Sequence, residues 1–73
     1  MKLIIKSNTQ RWSVDCPFSK EEMEDNELIE YFRIKMLNIY SDFGAVHSEF
    51  IFDNAMVEKN YKRINPEVEG CGS

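Results

Sequence analysis

Apolar and polar positions alternate in some stretches of this chain and recur every three to four residues in others, and these two periods divide it into elements. Lys2 to Lys6 is a short apolar run closed by charges and followed by the turn formers Ser7, Asn8 and Thr9, which predicts a first strand and its turn. From Gln10 to Cys16 the chain alternates. Trp12, Val14 and Cys16 fall on one side and Arg11, Ser13 and Asp15 on the other, the pattern of a half-buried second strand paired with the first as a hairpin. Pro17 has no amide hydrogen to give a sheet and ends the strand.

Ser19-Lys20-Glu21-Glu22 fits a capping box, in which the serine hydroxyl and the Glu22 carboxylate each satisfy an exposed backbone amide. Phe18 and Met23 stand at the positions of a hydrophobic staple. A long helix is predicted from about Lys20, with Asp25-Asn26 as a second possible start that would make the first turn separate. On a projection at about 100° per residue, Leu28, Ile29, Phe32, Met36, Ile39, Tyr40 and Phe43 share about a third of the circumference and are expected to face the sheet. A second, narrower stripe of Met23, Ile34 and Leu37 lies elsewhere on the helix, and covering one sheet does not require it. Gly44 is placed to end the helix in a left-handed conformation.

Alternation returns from Ala45 to Asp53, with Val46, Ser48, Phe50 and Phe52 on one face and His47, Glu49 and Ile51 on the other, a third strand. Residues 54–64 fit either a helix, on the spacing of Val57, Tyr61 and Ile64 behind an Asp53 or Asn54 cap, or a fourth strand entered through an Asp53-Asn54 turn, with the helix favoured. The prediction is one α+β domain over residues 1–66, in the order hairpin, long central helix, third strand and short last helix or strand. Residues 67–73 are expected to form a flexible tail.

At 73 residues the chain is near the lower limit for a single hydrophobic core. Its 42% hydrophobic content is sufficient for collapse. Two cysteines are too few for a disulfide scaffold, and the start offers neither an export signal nor a bilayer-spanning run, so a soluble protein of the reducing cytoplasm is expected. Charge changes the picture more than composition does. Glu21, Glu22, Glu24, Asp25, Glu27 and Glu30 make a segment of charge −6 against −4 for the whole chain, so the remainder sums to +2. That bias is opposite to the basic face of a nucleic-acid binder and argues against direct nucleic-acid binding.

Candidate chemistry is sparse. His47, the single histidine, reads as a surface residue, and Cys16 as a small core hydrophobe. Cys16, Cys71 and His47 lack the close ligand pairing of a zinc site, and no cofactor motif is present. Cys71, between two glycines, is expected to be an exposed tail thiol. Lys59, Lys62 and Arg63 form the basic cluster expected to balance the acidic helix or face solvent. With no catalytic residues nominated, the expectation is a non-catalytic binding or inhibitory protein of phage or mobile-element type. It would dock through Glu21, Glu24, Glu27 and Glu30, with Met23, Ile34 and Leu37 as apolar contacts, on a protein partner such as a basic nucleic-acid-handling host protein, or on itself.

In element order alone the chain also resembles the β-grasp group of ubiquitin-like modifiers and sulfur carriers. The resemblance implies a tail-active module with Cys71 as its thiol or conjugation site, although active members of the group end in a diglycine and this chain ends Gly70-Cys71-Gly72-Ser73.

Overall fold

The computed structural model describes residues 1–65, so Cys71 and the predicted tail lie outside the described residues. The elements follow the order β1 (Lys2–Lys6), β2 (Arg11–Asp15), α1 (Lys20–Met23), α2 (Asn26–Ser41), β3 (His47–Ile51) and α3 (Ala55–Ile64). This is an α+β fold whose last element is a helix, which resolves the one element that the alternation pattern left open.

The sheet has the order β2-β1-β3 and is antiparallel throughout. Ile5 lies opposite Trp12 on β2 and Ser48 on β3, and Leu3 lies opposite Val14 and Phe50. Because side chains alternate across a strand, all six point to one face. That face lies under α2, and Leu3, Ile5 and Ile29 are fully buried at its centre. Trp12, Val14, Cys16, Phe32, Met36, Leu37 and Tyr40 pack around them. The opposite face carries Ile4 amid charged cross-strand pairs, Lys2 with Asp15 at 3.7 Å and Lys6 with Glu49 at 3.6 Å.

Local chemistry explains the boundaries. In the β1–β2 turn the Ser7 hydroxyl accepts from the amides of Thr9 and Gln10 at 3.1 and 2.8 Å. The capping box forms as the sequence predicts, with Glu22 N–H donating to Ser19 Oγ and Ser19 N–H donating to Glu22 Oε1. A second cap follows at once, since Asp25 accepts from the Leu28 amide at 3.2 Å. The predicted long helix is therefore two helices, a four-residue α1 and a sixteen-residue α2. At the other end Gly44 has φ +92°. The amides of Gly44 and Ala45 return to the carbonyls of Ser41 and Tyr40, a Schellman closure. Asn54 caps α3 by accepting from the amides of Met56 and Val57.

The apolar stripe of the central helix needs one correction. Leu28, Ile29, Phe32, Met36 and Tyr40 turn inward as expected, but Ile39 and Phe43 are 47% and 67% exposed. Length accounts for this: sixteen helical residues span about 24 Å, whereas five-residue strands span about 17 Å. The last turn of α2 overhangs the sheet. The third strand is also shorter than Ala45–Asp53, and Val46 is exposed.

Truncating Ile29 to alanine is expected to cost about 2–5 kcal/mol, the range for a large core aliphatic. Ile34→Ala, on the open side of the same helix, should change stability by about 0.5 kcal/mol or less. Urea denaturation of both variants checks the orientation of α2.

Candidate functional site

The six acids between Glu21 and Glu30 separate into three groups once folded. Glu22 and Asp25 are helix caps. Glu21, Glu24 and Glu27 are exposed on α1, the α1–α2 junction and the first turn of α2. Glu30 turns the other way.

Glu30 and Arg33, one turn apart on α2, form a forked pair in which Arg33 Nε donates to Glu30 Oε1 at 2.9 Å and Nη2 donates to Oε2. Arg33 Nη1 also donates to Ser48 Oγ on β3 at 3.0 Å. From α3 the Tyr61 hydroxyl donates to Glu30 Oε1. Four side chains from three elements thus share one polar cluster. The Glu30 side chain is only 19% exposed. Tyr61 itself is buried, its ring edge-on to Phe50 at 5.4 Å and tilted against Phe52 at 5.5 Å.

The electrostatics follow from these contacts. The Arg33 guanidinium holds the Glu30 carboxyl below the usual carboxylate range, with Tyr61 adding to the effect and burial opposing it. Glu30 in turn raises Arg33. Burial, and then the Glu30 carboxylate, push the Tyr61 hydroxyl up, so it remains a donor across the neutral range. This cluster fastens α3 to α2 and α2 to β3. The i,i+3 spacing of Glu30 and Arg33 was visible in the sequence, but no periodicity indicated that Tyr61 would reach them.

The second apolar stripe does not stay together. Leu37 packs against the core and Met23 is half-buried, while Ile34 is 46% exposed with Tyr31 exposed one turn before it. Beside the acidic end, Asn26, Glu27, Glu30, Ile64 and Asn65 line a shallow depression between the ends of α2 and α3.

His47 is exposed and its Nε2 lies 2.9 Å from Glu49 Oε1. Burial pushes the half-buried Cys16 thiol up to about 11, the behaviour of an unreactive core thiol. Lys62 pairs with Glu58 on its own helix at 2.8 Å. Among the described residues no three His, Cys, Asp or Glu side chains are grouped to hold a metal ion, and no helix is long and apolar enough to cross a membrane. Comparison with protein-family models, curated proteins and solved structures returned no match.

Because Glu30 is held below its ordinary value of 4.5, its ionised form is favoured in the folded state. Its contribution is fully present above that value and is lost as the pH falls through the lowered one. Glu30→Gln should flatten the loss of stability below about pH 4.5 in acid titrations followed by circular dichroism. Tyr61→Phe should cost about 1.5–3 kcal/mol, as expected for a hydrogen bond to a charged group, in the same assay near neutral pH.

Proposed function

We propose that this chain is a non-catalytic binding protein that docks on a basic protein surface through Glu21, Glu24 and Glu27. The supporting observation is the contrast among its carboxylates. Asp15, Glu30, Glu49, Asp53 and Glu58 each lie beside a cation. Glu22 and Asp25 serve as caps. Among the described residues Glu21, Glu24 and Glu27 do neither, nor does the isolated Asp42 at the end of α2, but the first three stand within seven residues of one another on an exposed part of the chain.

Carboxylates without local partners repel one another, and a basic partner would relieve that repulsion while steering the encounter. The capped α1 turn and the following cap at Asp25 present them from fixed backbone. Exposed Tyr31 and Ile34 lie further along α2 and add apolar contact. A nucleic-acid-handling enzyme, with its basic channel, is the class of host partner that best matches this charge, and inhibition by occupying that channel is the proposed mode of action.

The test reverses charge where the fold does not use it. With Glu21, Glu24 and Glu27 all changed to lysine and Glu30 retained, the protein should keep its circular dichroism spectrum and lose the partner that wild type captures from its host at low salt. Equal capture by wild type and variant would sink the docking proposal.

A further inference from the structure

β2 is an edge strand: β1 pairs with it on one side, and among the described residues nothing pairs on the other. The hairpin hydrogen bonds show which of its backbone groups are left over. Ser7 N–H bonds to the Gln10 carbonyl at one end and Cys16 N–H to the Met1 carbonyl at the other. In an antiparallel ladder hydrogen-bonded pairs alternate with non-bonded ones, so the groups of Trp12 and Val14 also point toward β1. Those of Arg11, Ser13 and Asp15 point out, an open row of donors and acceptors of the kind that recruits another strand.

We infer that this edge is the self-association surface of the protein, pairing antiparallel with β2 of a second copy about a two-fold axis through Ser13. The strand Arg11-Trp12-Ser13-Val14-Asp15 is self-complementary in that register. Arg11 falls opposite Asp15 of the partner copy and Asp15 opposite its Arg11, both on the charged face of the sheet. Trp12 falls opposite Val14 on the helix-covered face, so the apolar layer continues across the axis. Within one chain Arg11 lies directly opposite Lys6, an unfavourable like-charge pair. Lys6 leans away to Glu49 at 3.6 Å, and Arg11 has no ion-pair partner among the described residues. The second copy supplies one.

The other edge of the sheet argues by contrast. β3 reads His47-Ser48-Glu49-Phe50-Ile51, and a two-fold through its centre would set Glu49 against Glu49. That edge disfavours self-pairing, whereas β2 favours it. Apolar surface also borders the β2 edge. An aromatic row runs from Trp12 to Tyr40 to Phe43, with centroids 5.2 and 6.2 Å apart, and it ends on the exposed ring of Phe43. Ile39, one turn earlier, is exposed as well. A stable dimer buries about 800 Å² per partner, more than strand pairing of five residues gives alone, and these overhanging side chains at and just beyond the end of α2 extend the contact. Antiparallel pairing also sets the acidic α1 of each copy at the hairpin end of the other, so the two −6 segments stay apart.

Sedimentation equilibrium on the full chain should give a dimer at micromolar to millimolar concentration. Arg11→Asp and Asp15→Arg each place like charges across the axis twice, and each should weaken dimerisation by about tenfold or more at low salt. An equimolar mixture of the two single variants should recover a heterodimer, since one then carries two acids where the other carries two bases. Hydrogen exchange on the wild type provides a readout that needs no variant to fold: the amides of Arg11, Ser13 and Asp15 should gain protection as concentration rises, while those of β3 should not. A wild-type monomer at every concentration, whether that edge is bare or covered by residues 66–73, would overturn the inference, as would a dimer indifferent to both reversals.

Discussion

A sheet of three five-residue strands has one face that must be kept from water, and among the described residues a single helix is long enough to do it. Leu3 and Ile5 on the central strand meet Ile29 on α2, and these fully buried side chains place the other elements around them. The hairpin turn aligns Trp12 and Val14 with them, and the Schellman closure at Gly44 returns the chain to pair β3 on the far side of β1. With so small a core, α3 is joined by more than apolar contact. Tyr61 packs its ring against both Phe50 and Phe52 and its hydroxyl reaches Glu30, where Arg33 and Ser48 complete the polar cluster. Burying that carboxylate is tolerable because three donors from two side chains satisfy it, the condition under which buried charge does not cost more than it contributes.

This arrangement separates acids that composition alone merges. Glu30 faces inward and holds three elements together, whereas the side chains of Glu21, Glu24 and Glu27 have no partner among the described residues. The break between α1 and α2 makes the division possible. Two caps in succession, Ser19 and Asp25, start the helix twice, and the short first turn carries its acids outside the core.

Features governed by period and capping were legible in the sequence: the hairpin, the capping box, the glycine closure and the inward set of Leu28, Ile29, Phe32, Met36 and Tyr40. Features that depend on matched lengths or on contacts across the fold were not. Nothing in the spacing of Ile39 and Phe43 indicates that the sheet stops before they do. Leu37 and Ile34 share one stripe on a helical projection, yet Leu37 packs against the core and Ile34, further round the helix, is 46% exposed. Glu30 reads as one acid among six until the distant Tyr61 is brought to it.

The central claim is that α2 on β1 forms the cooperative core, that α3 is fastened to it through Tyr61, and that α1 with its acids lies outside it. Native-state hydrogen exchange followed residue by residue tests this most directly. The amides of β1, of α2 from Ile29 to Tyr40 and of α3 near Tyr61 should exchange only with global unfolding, and those of α1 should exchange far faster. Protection of α1 equal to that of α2, or opening of α3 independent of α2, would contradict the account.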